Sequence, residues 1–85
     1  MEEKEIGYIT HFFGHISVAA IKITSDSLSV GDTIKVKGHT SDFEQKIDSI
    51  QINKAEVKEA KKGDEIGIKI KDRVRPNDKV FKILK

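Results

Sequence analysis

Cysteine and tryptophan are absent from the 85 residues, and proline and methionine occur once each. Without cysteine there is no disulfide to staple the fold and no thiolate to hold a structural zinc, so packing alone must stabilise it. Histidine is scarce too: His11, His15 and His39 are the only ones, and no two stand at metal-ligand spacing on a predicted helix. No apolar run is long enough for a membrane helix. The acidic start Met1-Glu2-Glu3-Lys4-Glu5 is unlike a signal peptide, so a cytoplasmic protein is expected. No G-x-x-x-x-G-K-[ST] loop is present to cradle a nucleotide phosphate. A large excess of one charge is also missing. Sixteen Lys and Arg stand against fourteen Asp and Glu, a net of +2, too balanced for a strongly basic nucleic-acid binder.

What the chain does have is isoleucine, charge and a repeated corner. Its length suits one domain over 1–85 with a core only just large enough, and the β-branched bias favours strands. In Leu28 to Gly38, read L-S-V-G-D-T-I-K-V-K-G, Gly31-Asp32 predicts a tight turn, because glycine accepts positive φ and aspartate hydrogen-bonds the nearby backbone. Thr33 to Lys37 then alternates like a half-buried strand, with Ile34 and Val36 inward. The device returns at Gly63-Asp64-Glu65-Ile66 and, with asparagine for glycine, at Asn77-Asp78-Lys79-Val80.

Along the chain, Ile6 to Phe13 and Ile16 to Ile23 read as two strands joined by a tight hairpin at Gly14-His15. The second is apolar on both faces around Ala19, Ala20 and Ile21, which implies two-sided burial or a bulge. His39 to Asp42 reads as a solvated loop. From Phe43 to Ile52 the alternation slips by one residue, which predicts a β-bulge at Asp48-Ser49. Asn53 to Lys62 reads as one helical turn or a loop, being too short for a helix of its own. Ile66, Ile68 and Ile70 alternate cleanly, and Lys79 to Leu84 closes the order. About six strands at this spacing predict an all-β chain folded as a small closed antiparallel β-barrel.

Leu28 to Gly38, then S-I-Q-I at Ser49 to Ile52, then E-A-K-K-G-D-E-I-G-I-K-I at Glu59 to Ile70 resemble, in that order, the second β-barrel domain of translational GTPases such as elongation factor Tu. The likeness covers about Gly7 to Ile83. It is closer still to short translation elongation factor-like proteins made of this barrel alone, and to the related C-terminal barrel of collagenase-like peptidases. The resemblance implies a Greek-key-like barrel without the nucleotide-binding domain. It also carries the region that holds the aminoacyl end of tRNA onto Phe12 to Ile16 and Gly63 to Gly67. There Phe12, Phe13, Gly14 and His15 depart from the usual small-residue and Pro-Gly pattern.

No constellation for catalysis stands out: Ser25 to Ser29 reads as a turn, and the Gly-Asp corners lack the carboxylate cluster of a cation site. The chain is expected not to be an enzyme and to need no cofactor. Phe12 and Phe13 could stack bases, with Lys35, Lys37, Lys61, Lys62, Arg73 and Arg75 on phosphates, as small barrels hold single strands. The candidate set for RNA or a protein partner is Phe12, Phe13, His15, Lys61, Lys62, Asp64, Glu65, Arg73 and Arg75. The first expectation is a translation-factor-like module binding tRNA, rRNA or the ribosome. The alternative is a protein-interaction adaptor on a separate enzyme such as a collagenase-like peptidase or a GTPase. Fourteen of the sixteen cations are lysine, and this Lys/Glu-rich, cysteine-free composition is of the hyperthermophile kind. Calorimetry is therefore expected to find a thermal midpoint above the mesophile range of roughly 45–65 °C.

Overall fold

A computed structural model describes residues 2–39 and 42–84. Its ten strands, in chain order, are β1 (Glu2–Phe13), β2 (Val18–Ile23), β3 (Ser27–Ser29), β4 (Thr33–Lys37), β5 (Asp42–Lys46), β6 (Ile50–Ile52), β7 (Ala55–Val57), β8 (Glu59–Lys61), β9 (Glu65–Lys69) and β10 (Lys79–Leu84). Eight form one sheet in the order β5-β4-β10-β1-β2-β9-β6-β7, and β3 pairs with β8. All pairings are antiparallel. The all-β expectation therefore holds, with ten strands instead of about six.

The three corners share one geometry. In each, a residue at positive φ (Gly31, 99°; Gly63, 96°; Asn77, 76°) precedes the aspartate. The carboxylates of Asp32, Asp64 and Asp78 accept from the backbone N–H three residues back, on Ser29, Lys61 and Arg75, at 2.8, 2.9 and 3.0 Å. The aspartate N–H returns the bond to that residue's carbonyl at 3.0, 3.0 and 3.1 Å. Every corner then docks on one isoleucine of another segment. Gly31 N–H donates to the Ile47 carbonyl and Ile47 N–H to that of Asp32. Gly63 and Asp64 clasp Ile23 in the same way, and Asn77 and Asp78 clasp Ile9. All three isoleucines are wholly buried. The turns thus satisfy their own backbone groups and anchor to the core at the same time.

Core side chains follow the period of two. Ile34 and Val36 of β4, Ile66 and Ile68 of β9, and Ala19, Ile21 and Ile23 of β2 point into one cluster with Ile6, Ile9, Leu28, Ile50, Ala60 and Val80. The outer face of β2 carries half-buried Val18, Ala20 and Lys22, so its apolar run is covered on one face and partly covered on the other. The bulge expected there lies in its partner: the register of β1 shifts between Ile9 and His11, and again between Glu5 and Gly7. These shifts let one 12-residue strand pair with β10 along its first half and β2 along its second.

Several expectations need correcting. The run from Phe43 to Ile52 does not bulge at Asp48-Ser49; it breaks there, with β5 ending at Lys46 and β6 starting at Ile50. Ile47 leaves the ladder because its N–H and carbonyl are taken by the first corner. Asn53 to Lys62 forms no helical turn. Asn53 and Lys54 take positive φ (51° and 68°), the signature of a two-residue hairpin turn, and join β6 to β7 before β8. The first hairpin turn spans four residues, 14–17, so β2 begins at Val18. Of the loop predicted at His39 to Asp42, Thr40 and Ser41 lie outside the described residues, and Asp42 already belongs to β5.

Three residues join β5 to β6, yet the two strands lie six places apart in the sheet. Flat, those places would span ~29 Å, whereas the link reaches only ~14 Å. The sheet must therefore curl until its flanks approach. Among the described residues no backbone ladder closes it, and β5 and β7 end the order. The Gln45 side chain crosses the gap instead. Its Nε2 donates to the Lys69 carbonyl and its Oε1 accepts from Lys71 N–H, both at 2.8 Å.

Substitution costs at the glycines follow from these geometries. Gly31→Ala or Gly63→Ala is expected to lose about 1–2 kcal/mol in urea unfolding, because an L side chain is strained at that φ. Asparagine in either place should lose less, since Asn77 already fills the third corner. Gly7→Ala should be worse than either, as its Cβ would run into the Lys22 carbonyl oxygen.

Candidate interaction surface

The predicted site residues divide into separate groups. Phe12, Phe13 and His15 sit at or beside the 14–17 turn. Phe12 is half-buried against the core, while Phe13 is 45% exposed and lies 6.1 Å from the His11 ring, centroid to centroid. Lys61, Lys62, Asp64 and Glu65 stand at the opposite end of the β2–β9 ladder, whose register runs from Val18–Lys69 to Lys22–Glu65. Four residues of strand, ~13 Å, separate those ends. The structure therefore does not bring the hairpin and the Gly63 corner together.

Both acidic candidates are already engaged within the fold. Asp64 closes its own turn through the N–H of Lys61. The Glu65 carboxylate accepts from Thr10 Oγ1 at 2.8 Å, which ties down the residue bulged out of β1. Lys61 and Lys62 are exposed; Lys35 lies 3.7 Å from Glu3. Arg73 and Arg75 are exposed on the connection from β9 to β10, and each gives its backbone N–H to an aspartate, Asp72 and Asp78 respectively.

A different set of residues meets at the end of β9. One groove, of about 240 Å³, is lined by Ile16, Val18, Ser49, Gln51, Gly67 and Lys69. A second, of about 410 Å³, adjoins it through Ser49 and Lys69 and follows the gap that Gln45 crosses, with Ser17, Asp48, Ile70 and Lys71 on its walls. Ile16, at 53% exposure, forms an apolar rim. The turn holds its place because Ile16 N–H donates to the Phe13 carbonyl and Ile70 N–H to that of Ser17. Ile16 ends the hairpin region that the sequence resemblance pointed to, whereas Ser49, Gln45, Lys69 and Lys71 were in no predicted region. Glycine at 67 within a clean Ile alternation is a sequence signal for bare strand surface, but the crossover that forms the opposite wall leaves none.

Among the described residues no three His, Asp or Glu groups are placed to hold a metal ion. The Asp26 carboxyl is held below the usual range by the Ser27 N–H and then by the Lys4 ammonium. That favours its charged form and so opposes a proton-donor role. No helix of the described chain is long and apolar enough to cross a membrane.

The arrangement is shared with known proteins. The crystal structure of the C-terminal domain of a Geobacillus thermoleovorans protein assigned to the U32 peptidases superposes with a TM-score of 0.88, covering 95% of this chain and 93% of that one at 18% identity. The fold of this chain is the fold of that C-terminal domain. Sequence relatives agree with it. An uncharacterised protease of Methanocaldococcus jannaschii is 41% identical over 78 residues, and a Porphyromonas gingivalis collagenase 35%, each match taking in 91% of this chain. The chain spans about a fifth of the length of these relatives, 19% and 22%. No protein-family profile matches it. The collagenase-like side of the sequence resemblance is thus supported. None of these three proteins is a translation factor, so that side rests on the corner motifs alone.

The two phenylalanines should separate cleanly by mutation. Phe13→Ser is expected to change unfolding free energy by no more than about 0.5 kcal/mol, whereas Phe12→Ala should lose roughly 1–2 kcal/mol of core contact. Chemical denaturation of the two variants measures the difference.

Proposed function

We propose that the chain is a non-catalytic docking module of the collagenase-like peptidases, working beside a peptidase catalytic domain, whether attached to it or bound to it. The observation that carries this is the match of 91% of the chain to about a fifth of an M. jannaschii protease and a P. gingivalis collagenase. A segment of that size in which, among the described residues, no three His, Asp or Glu groups are placed to hold a metal ion suits a part that binds while another part cuts. The curled sheet, read together with the U32 fold, is taken here as a closed barrel whose seam is completed by Gln45 in place of a backbone ladder. Exposed Phe13 and Ile16, at the end of β1 and in the turn that follows it, supply apolar surface that a protein partner would cover. The cytoplasmic setting belongs to the same reading, a cysteine-free domain having no use for an oxidising compartment.

The test is to mix the chain with the M. jannaschii protease lacking its matching segment. Co-elution on size exclusion should persist at about 0.5 M salt, where exposed charge pairs are largely screened. The chain alone should release no fluorescence from labelled gelatin. Separate elution of the two proteins, or turnover by the chain itself, would defeat the reading. So would retention of tRNA that falls with ionic strength as phosphate contacts do.

A further inference from the structure

The Gln45 amide does what one residue of a neighbouring strand would do. In a parallel pair, a residue gives its N–H to the carbonyl before the residue opposite and takes the N–H after it. Gln45 does the same around Ile70, giving Nε2–H to the Lys69 carbonyl and accepting from Lys71 N–H. This stretch therefore has strand-pairing groups satisfied by one side chain. The backbone that would otherwise fill the place turns away at Ile47–Ser49, and β6 meets β9 at a single pair, Gln51 with Gly67. Beside the latch lies the 410 Å³ groove.

We propose that this opening is a strand-acceptor site. An extended peptide displaces the Gln45 amide and pairs its own backbone with Lys69 and Lys71, the mode by which sheet edges capture chains. The side chains fix its chemistry. Lys69, at the end of β9, and Lys71, at the bend just beyond it, are both exposed and enter none of the ion pairs among the described residues. Acidic residues at alternate positions of the peptide stand opposite them. The positions between face Ile70, which lines the groove at 3% exposure, and are apolar. Asp48, also on the groove wall, disfavours a further acid beyond these two. The site deepens the docking role proposed above by naming the kind of chain held.

The experiment is a ¹⁵N–¹H NMR titration of the 85-residue chain with acetyl-Leu-Glu-Val-Glu-Leu-amide, its Lys-for-Glu counterpart, and a uridine oligonucleotide. The acidic peptide should shift the amides of Ser17, Lys69, Ile70 and Lys71, and the lysine peptide should not. Removing the latch with Gln45→Ala should tighten the acidic peptide about tenfold, since two hydrogen bonds no longer compete. Lys69→Glu with Lys71→Glu should reverse the preference between the two peptides by about tenfold overall. This reversal tests the site even if the Gln45 variant does not fold. Shifts confined to other residues, equal binding of both peptides, or response to the oligonucleotide alone would overturn the proposal. If the acidic peptide fails while co-elution with the peptidase persists, the acceptor site falls and the docking role stands; loss of co-elution alone removes the role and leaves the site.

Discussion

Each corner solves a problem set by a small all-β chain: how to reverse direction without leaving buried N–H and carbonyl groups unpaired. An aspartate carboxylate reaches back three residues to one N–H, its own N–H returns to the carbonyl, and the two central amide groups face an isoleucine of another segment. Buried polar groups are costly when left alone. The corner therefore fixes not only the turn but also the point of the core against which it must lie. Ile9, Ile23 and Ile47 are those points, and each belongs to a different part of the chain. Three clasps of this kind bring β1, the end of β2 and the β5–β6 link together. In a domain without disulfides, they are the nearest thing to cross-links.

The curl of the sheet follows from the third anchor point. Because Ile47 is held by Gly31 and Asp32, the chain cannot continue β5 as one long strand. It crosses in three residues to the far flank, and the sheet has to bend to allow it. The crossing takes backbone away from the end of β9, where a side-chain amide fills the vacancy. The same event makes the groove. The grooves thus lie where the closure of the sheet is least complete, flanked by Lys69 and Lys71 and rimmed by Ile16.

The two regions to which the resemblance pointed, the first hairpin and the Gly63 corner, are kept apart by the fold. Phe13 and His15 lie at the end of the β2–β9 ladder where the grooves are, but Lys61, Lys62, Asp64 and Glu65 belong to its other end, and the two acids are occupied in holding the turn and the bulge. A Gly-Asp motif is conspicuous in sequence because the backbone demands it, and such a demand can look like a functional signature. Here Asp64 serves the chain's own amide groups.

Local chemistry determined what could be read from the chain alone. Gly31, Gly63 and Asn77 announce their turns because few residues tolerate positive φ, and Ile66, Ile68 and Ile70 announce a strand because side chains alternate with a period of two. Those signals lie within a few residues of each other. The partition of Phe43 to Ile52 into two strands, the short pairing of Asn53 to Lys62 and the meeting of Gln45 with Lys69 and Lys71 carry no such mark. Each depends on which distant group already holds a given N–H or carbonyl, a competition that exists only once the sheet has curled and brought residues 24 and 26 positions apart into hydrogen-bonding reach.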